Sequence, residues 1–231
     1  MGLGAGGQKC NAPKPLASNP FPLPFSASMS TSSTPNQLLN EAQAGSTSQL
    51  GRLLELYRNY LRLLARIEIG RRLQAKLDAS DLVQETLLEA HRNFTKFQGA
   101  TESQFVHWLR QIMAANLANL LRRYFGTQGR DIRLERELAV YLDQSSQFMD
   151  RGLVDRETSP SQQAAGREQA VLLADALERL PQDYREVIIL RHFEGLSFPE
   201  VSRRMDRSLD SVEKLWVRGL ARLRQVMGDV Q

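Results

Sequence analysis

The side chains with the clearest chemical potential are positive charges near the C-terminus. Between residues 203 and 224 the sequence has seven Arg or Lys residues and three acidic ones. Guanidinium and ammonium groups bind phosphate oxygens, so this segment could contact nucleic acid. A run of charge taken alone is more often a solvated helix face. The choice between these interpretations depends on the fold that presents the charges.

Patterns typical of catalysis or metal binding are missing from the sequence. Cys10 is the single cysteine, and His91, His107 and His192 lie far apart in the chain. Neither an intramolecular disulfide nor a thiol-histidine metal site is therefore predicted. No nucleophile-base pair or phosphate-binding loop is recognisable. We expect a protein that is not an enzyme and that uses no cofactor, metal or small-molecule substrate.

Composition is that of a globular protein. The 231 residues are 42% apolar, which is enough for one domain or two small ones, and the net charge of +4 is too mild to indicate a partner. No apolar run is long enough to cross a bilayer, and the N-terminus lacks the apolar core of a signal peptide. We expect a cytoplasmic protein with no membrane contact.

A helix-turn-helix outline surrounds the positive charges. Pro181 is placed for the first turn of a helix, and Gly195 for its C-terminal cap. The capping-box pattern of Ser197 and Glu200 opens a short helix, and Ser208 can cap a longer final one. The second helix of such a pair enters the major groove of DNA. This geometry makes DNA binding the better prediction for the positive charges.

The final helix is predicted to have an apolar face and a DNA-binding face. Trp216 could stack on a base, but a tryptophan at core spacing is more often packed, and we favour packing. The predicted core positions are Val212, Leu215 or Trp216, Leu220 and Leu223. The residues placed to reach DNA are Ser208, Asp210, Ser211, Lys214 and Arg218.

Three amphipathic helices predict a compact bundle between about residues 50 and 125. The first begins near Leu50, and the second begins where Asp78 or Ser80 can cap its free amides. The third is ESQFVHWLRQIMAANLANLLRRY, whose predicted apolar stripe is Phe105, Trp108, Leu109, Ile112, Met113, Leu117, Leu120, Leu121 and Tyr124.

The remaining segments are predicted to be tail and linker. Residues 1–48 hold six of the nine prolines and three charged residues, which indicates a disordered N-terminal tail. Met29 is the hypothesised true start of translation. Residues 126–167 are predicted to be a mobile linker with one transient or docked helix around Leu134, Leu138 and Tyr141. The two folded domains then cover residues 49–125 and 168–231.

Two passages in the right order resemble bacterial sigma factors. DLVQETLLEAHRNFTKFQG, followed by FVHWLRQIMAANLANLLRR, is similar to their second conserved region. LPQDYREVIILRHFEGLSFPEVSRRM, continuing through SVEKLWVRGLARLR, is similar to the fourth. Because nothing resembles the third region, the chain looks like the minimal extracytoplasmic-function (ECF) type of the sigma-seventy family. This resemblance implies an all-α fold with a region 2-like bundle and a region 4-like helix-turn-helix domain, joined by a flexible linker.

The resemblance also implies the partners. Such proteins bind core RNA polymerase and direct it to promoter DNA, one domain reading the minus-ten element and the other the minus-thirty-five element. An anti-sigma factor is a further candidate partner. By the motif DLVQE, the residues implied to bind the polymerase are Asp81, Gln84 and Glu85.

The same resemblance assigns minus-ten contacts to a loop and to a helix face. The loop holds a base turned out of the non-template strand in similar proteins, and its candidates here are Lys96, Phe97, Gln98 and Gly99. The helix face lies along promoter DNA, and its candidates are Arg110, Asn116, Asn119, Arg122 and Arg123. Arg122 and Arg123 could instead close the negative end of the helix. Gln98 and Glu213 stand where relatives often have basic residues, so the promoter sequence cannot be copied from them.

Two other functions remain open at this point. A conventional regulator would use the helix-turn-helix alone and bind an operator without polymerase. A protein-interaction adaptor would bind acidic partners through its basic helices, without the steep salt dependence that phosphate contacts produce.

Overall fold

The computed structural model describes Met1 and residues 34–73, 78–125, 132–151 and 160–228. Those residues contain α-helices, one 3-10 turn and one π turn, and no β-strand within these ranges. The predicted all-α fold class is therefore confirmed. The predicted tail before residue 34, with the hypothesised start at Met29, lies outside the described residues.

The described residues form ten α-helices. Two short helices come first, five helices of 15 to 24 residues follow, and two short helices precede the long α10; the junctions are mostly one to eight residues long. The helices are α1 Pro35–Gln43, α2 Thr47–Leu56, α3 Arg58–Leu73, α4 Ala79–Asn93, α5 Glu102–Phe125, α6 Ile132–Arg151, α7 Pro160–Glu178, α8 Gln182–Ile188, α9 Phe198–Met205 and α10 Leu209–Gly228.

Helices α2 to α5 form the predicted N-terminal bundle. Asp78, not Ser80, caps α4, because its side chain accepts a hydrogen bond from the Ser80 amide at 2.8 Å. From Phe105 to Leu121 the apolar stripe of α5 faces the core as predicted, with Trp108, Ile112 and Leu120 only partly buried at its margin. The side chain of Tyr124, the last member of the predicted stripe, lies outside the described part of the structure. Fully buried side chains of this core include Leu53, Leu61, Leu64, Leu82, Phe105, Leu109, Met113 and Leu117.

Helix α1 lies in the segment that was expected to be tail. Thr34 and Gln37 form a capping box at its start, and Pro35 occupies its first turn. Leu38 and Leu39 are 6% and 0% exposed, so the helix belongs to the bundle core. The expectation of disorder to residue 48 does not hold for residues 34–48. It rested on the low charge and high proline content of the whole segment, and such an average does not register two leucines that pack in the core.

Helix α6 lies in the segment that was expected to be a linker, and it takes the docked form. Its apolar side packs on the bundle through Leu138, Leu142 and Met149, all 2% exposed or less. Two buried hydroxyls add polar contacts, Ser145 to Glu68 at 2.8 Å and Tyr60 to Ser146 at 2.8 Å. The parts of the predicted linker at residues 126–131 and 152–159 lie outside the described residues.

Helix α7 begins at Pro160, before the predicted domain start at residue 168, and packs along α3. Asn59 donates a hydrogen bond to Asp175 at 2.8 Å. Arg62 contacts Glu178 at 3.4 Å. These contacts join the bundle to the helix that leads into the C-terminal domain.

The C-terminal helices begin and end where the sequence predicted. Gly195 has a φ of 75°, a left-handed conformation that glycine adopts without strain. Ser197 and Glu200 form the predicted capping box, in which the Glu200 carboxylate accepts from the Ser197 amide at 2.7 Å. The Ser197 hydroxyl also donates to this carboxylate at 2.6 Å. Ser208 accepts from the Ser211 amide at 3.3 Å and so caps α10. The short α9, the turn and the long α10 form the predicted helix-turn-helix.

None of the helices within the described ranges combines the length and the apolarity that a bilayer crossing needs.

Candidate nucleic-acid interface

The loop of residues 97–101, here called the 97–101 loop, rests on a cluster of aromatic rings. The Phe97 ring lies 6.0 Å from Phe94, 5.6 Å from Phe105 and 5.2 Å from Trp108, measured between ring centres. A Cβ atom on Gly99 would lie 2.4 Å from the Phe97 ring, so only glycine lets the loop close over it. Phe97 is half-buried and supports the loop from below, and its predicted contact with a base stays a prediction.

The backbone of the 97–101 loop is held by the side chain of Gln104. Its Oε1 accepts hydrogen bonds from the amides of Ala100 at 2.8 Å and Thr101 at 3.2 Å. Thr101 Oγ1 accepts in return from the Gln104 amide at 3.3 Å. Thr101 and Gln104 thus form a capping box for α5. The Thr-x-x-Gln pattern is visible in the sequence, but this cap was not among the predicted ones.

A buried tyrosine fixes the start of α5 beneath the loop. Tyr57 Oη donates to Glu102 Oε1 at 2.7 Å, and the Tyr57 side chain is 1% exposed. Burial raises the pKa of Tyr57, and the neighbouring Glu102 carboxylate raises it further, so the phenol keeps its proton. The hydrogen bond persists at every physiological pH.

The side chains of Lys96, just before the 97–101 loop, and Gln98, within it, are exposed. Lys96 Nζ donates to Asn93 Oδ1 at 2.9 Å, an exposed contact that a phosphate could replace. Gln98 points from the rigid loop into solvent, where its amide can donate and accept.

Two of the predicted DNA contacts on α5 lie in the interior of the fold. Arg110 donates to Asp143 at 2.8 Å, to Ser146 at 2.9 Å and to Tyr60 at 3.2 Å. Asn116 is 6% exposed, and its Nδ2 has no hydrogen-bond partner among the described residues. Both positions were expected to face DNA, and both are interior here. Arg110 is enclosed through its contacts with α6, which was not expected to dock on this side of α5.

The other predicted contacts on α5 lie near its C-terminal end. Asn119 and Arg123 are exposed. Arg122 is half-buried and donates to Asn119, and its guanidinium contacts Glu135 of α6 at 3.4 Å. Of the five predicted DNA contacts on α5, Asn119 and Arg123 are therefore accessible, while Arg122 is in contact with Asn119 and Glu135.

The residues predicted to bind the polymerase form one solvent face. Asp81, Gln84 and Glu85 are all exposed on α4. Asp81 also lines a cleft of about 960 Å³, whose opposite wall is formed by α7 and α8. Arg66 on α3 crosses this cleft to Glu186 at 4.0 Å. Burial lowers the pKa of Arg66, and the nearby Arg185 charge lowers it further.

Helix α10 presents the predicted recognition face. Asp210, Lys214 and Arg218 are exposed and Ser211 is half-buried, while Ser208 lies exposed just before the helix. Lys214 and Asp210 form an ion pair at 2.7 Å, with both side chains mostly in solvent. The five predicted DNA-contacting residues therefore share one accessible surface.

The opposite side of α10 packs as predicted. Val212 and Leu223 are buried. Gly219 lies against α8, where an added Cβ would meet Ile188 at 3.3 Å. Because the apolar side of α10 is packed in the domain, the opposite side of the helix is the accessible one.

Trp216 packs inside the C-terminal domain, in line with its predicted core role. Its Nε1 donates to His192 Nε2 at 2.9 Å, and its ring meets Phe198 edge-on at 5.4 Å. Because Nε2 accepts, His192 is neutral in this contact. Burial lowers the pKa of His192, and the adjacent Arg191 lowers it further.

Across the described ranges, no three His, Cys, Asp or Glu side chains group as metal ligands would.

Comparison with known protein families gives two matches. Sigma-70 region 2 matches residues 56–125, and sigma-70 region 4 matches residues 170–223. Together these matches cover just over half of the chain and contain both candidate interfaces. The chain belongs to the sigma-70 family. The resemblance drawn from the sequence is confirmed.

Similar relatives include ECF sigma factors. The ECF RNA polymerase sigma-E factor of Haemophilus influenzae is 28% identical over 179 residues, which are 78% of this chain and 87% of the relative. That of Salmonella typhimurium strain LT2 is 29% identical over 135 residues, which are 58% of this chain and 66% of the relative. These matches place the chain in the ECF type.

Among solved structures, the RsbN-BldN complex is similar over 81% of this chain and 98% of the matched one, at 23% identity and a TM-score of 0.29. The CnrH-CnrY complex is similar at 22% identity and a TM-score of 0.30.

Proposed function

We propose that this protein binds core RNA polymerase and directs it to a specific set of promoters, where it recognises the minus-thirty-five element and opens the minus-ten element. The observation that carries this proposal is the order of the two matched regions, each with an exposed polar surface suited to nucleic acid. The sigma factor itself performs no covalent chemistry, and the polymerase supplies the catalysis.

Minus-thirty-five recognition is assigned to α10. Lys214 and Arg218 bind phosphates or base edges, and Ser211 can donate to or accept from either. Asp210 forms an ion pair with Lys214 and orients that ammonium group. Its carboxylate can also accept a hydrogen bond from a cytosine amino group.

Minus-ten opening is assigned to the 97–101 loop and to the end of α5. Strand separation costs a few kcal/mol, and a site that binds only an extruded base favours the open state. Gln98 and the Gly99 backbone contact the base, Lys96 contacts the phosphate chain, and Asn119 and Arg123 contact the adjoining DNA. Phe97 acts by supporting the loop. Arg110 acts within the fold through its contacts with α6, and Asn116 acts within the bundle interior.

Core-polymerase binding is assigned to the α4 face. Asp81, Gln84 and Glu85 present two carboxylates and an amide in adjacent turns, a surface that fits basic side chains on the polymerase. An anti-sigma factor stays a predicted partner.

DNA-binding measurements with and without core polymerase test this proposal against a conventional regulator. We expect tight, sequence-specific promoter binding only when core polymerase is present. A charge-reversal variant of the α4 face, Asp81→Lys with Glu85→Lys, should lose this binding while keeping the fold. Equally tight specific binding by the isolated protein would overturn the proposal and favour a conventional helix-turn-helix regulator.

A further inference from the structure

Helix α1 makes one hydrogen bond to the 97–101 loop and one to the first residue of α5. Gln43 Nε2 donates a hydrogen bond to the Gly99 carbonyl at 2.7 Å. Asn36 Oδ1 accepts a hydrogen bond from the Glu102 amide at 3.0 Å. Asn36 therefore caps the first amide of α5 from another part of the chain, 66 residues away.

The side chains of Asn36 and Gln43 extend from a helix that is packed in the bundle core. They are seven residues apart, which places them on the same side of α1 and about 10 Å from each other along its axis. Between them, Leu38, Leu39 and Ala42 are 6% exposed or less and anchor the helix in the bundle core. The capping box of Thr34 and Gln37 fixes the start of the helix.

Four consecutive residues, three in the loop and Glu102 at the start of α5, have a backbone group with a side-chain partner. The Gly99 carbonyl is bound by Gln43, the Ala100 and Thr101 amides by Gln104, and the Glu102 amide by Asn36. The Phe97 ring fills the space below. The loop backbone is thus ordered before any DNA is present, with Gln98 left facing solvent.

We propose that Asn36 and Gln43 are positioning residues for promoter opening, which hold the 97–101 loop in the shape that receives an extruded base. The inference rests on the proposed minus-ten role of that loop. An ordered loop loses little conformational entropy when the base enters, so more of the binding free energy is available to favour strand separation. Helix α1 thereby takes part in minus-ten opening without contacting DNA.

The first test compares run-off transcription by wild-type protein and the double variant Asn36→Ala with Gln43→Ala. On duplex promoter we expect the opening rate to fall about tenfold, since two hydrogen bonds to the loop are lost. On the same promoter with a mismatched, already open minus-ten element, we expect a smaller loss. The preference among bases at the extruded position should also weaken. If Asn36 and Gln43 only stabilised the fold, the double variant would lose equal activity on duplex and open templates and would keep the wild-type preference among bases.

Conservative variants separate the hydrogen-bond roles. Asn36→Asp keeps the acceptor for the Glu102 amide and should retain opening activity. Gln43→Glu removes the donor for the Gly99 carbonyl and should lose activity like Gln43→Ala. Asn40→Ala is the matched control, because Asn40 is exposed on the same helix and its side chain makes no hydrogen bond to the described residues. Its opening rate should equal that of wild type.

Amide hydrogen exchange gives a readout that needs no polymerase. The double variant should exchange the amides of residues 100–102 faster than wild type, with the amides of α4 unchanged. Equal opening rates for the double variant and Asn40→Ala would overturn the inference and leave the proposed function intact. An equal loss on duplex and open templates would also overturn it. Failure of wild-type protein to give specific transcripts would overturn the proposed function and this inference with it.

Discussion

Arg110 and Asp143 form an ion pair at 2.8 Å that ties helix α5 of the bundle to helix α6. Arg110 is largely enclosed, with 12% of its side chain exposed, and Asp143 is 30% exposed. The same guanidinium bonds Tyr60 and Ser146, so it joins α3, α5 and α6. Helix α6 is therefore part of the folded bundle in this structure, and it encloses Arg110, which was predicted to face DNA.

The first prediction concerns this ion pair. Asp143→Ala should lower the free energy of unfolding by about 1–3 kcal/mol, because it leaves a largely buried guanidinium without its charge partner. Urea unfolding monitored by circular dichroism measures the change. Asp210→Ala is the control, because it breaks an exposed pair and should cost no more than about 0.5 kcal/mol. Equal effects of the two variants would show that the Arg110 pair is not structural.

The second prediction concerns Gly99. Gly99→Ala should destabilise the protein by about 1–3 kcal/mol and impair promoter opening, because the new methyl group would overlap the Phe97 ring and Gln104. Thermal unfolding and run-off transcription measure the two effects. Gly51→Ala is matched to it, since no atom lies within 4 Å of the added Cβ in helix α2. That change should be neutral or stabilising by up to about 1 kcal/mol, and a Gly99→Ala protein of wild-type stability would contradict the packing account.

The third prediction concerns phosphate contacts by α10. Arg218→Ala should weaken minus-thirty-five DNA binding and reduce the slope of log affinity against log salt by about one unit, because one fewer counterion is released. Titrations of the holoenzyme at several salt concentrations measure the slope. Arg58→Ala removes a similar exposed charge from α3 and should leave the slope unchanged. An unchanged slope in Arg218→Ala would remove this residue from the interface.

The fourth prediction concerns pH. Because the pKa of His192 is lowered in the fold, the unfolded chain takes up the His192 proton first as the pH falls. The contribution of His192 to stability is therefore fully present above its ordinary pKa of 6.5 and is lost progressively below it, down to the folded-state pKa. Unfolding free energies measured from about pH 7.5 to about pH 5, a range that spans the ordinary pKa of histidine, give the slope.

His192→Gln is the control for the pH prediction. Its amide can still accept from the Trp216 indole but does not titrate. The variant should lose the part of the pH slope that wild type shows below 6.5. Identical slopes in the two proteins would mean that His192 is equally easy to protonate in the folded and unfolded states.

Local signals in the sequence predicted the C-terminal domain well. Gly195, Ser197 and Ser208 act within a few residues of themselves, so their capping roles are visible in the sequence. The exposed face of α10 followed from its apolar periodicity. These elements are determined by short-range physics, and the structure matches the expectation at each of them.

Long-range contacts explain what the sequence did not reveal. Arg110 pairs with Asp143 33 residues away, and Gln43 reaches Gly99 56 residues away. Nothing in the spacing of either pair indicates the contact. The packing of Phe97 was not visible for the same reason, because Phe94 from the turn after α4 and two rings from α5 converge on it only in the folded chain.

The most direct measurement of the central claim is reconstituted run-off transcription with purified core polymerase on fragments of the host genome. With this protein added, we predict new transcripts that start at a small set of sites sharing minus-thirty-five and minus-ten sequences. Core polymerase alone should produce none of them. If no specific transcript appeared while the protein alone still bound DNA at defined sites, the sigma-factor account would be contradicted.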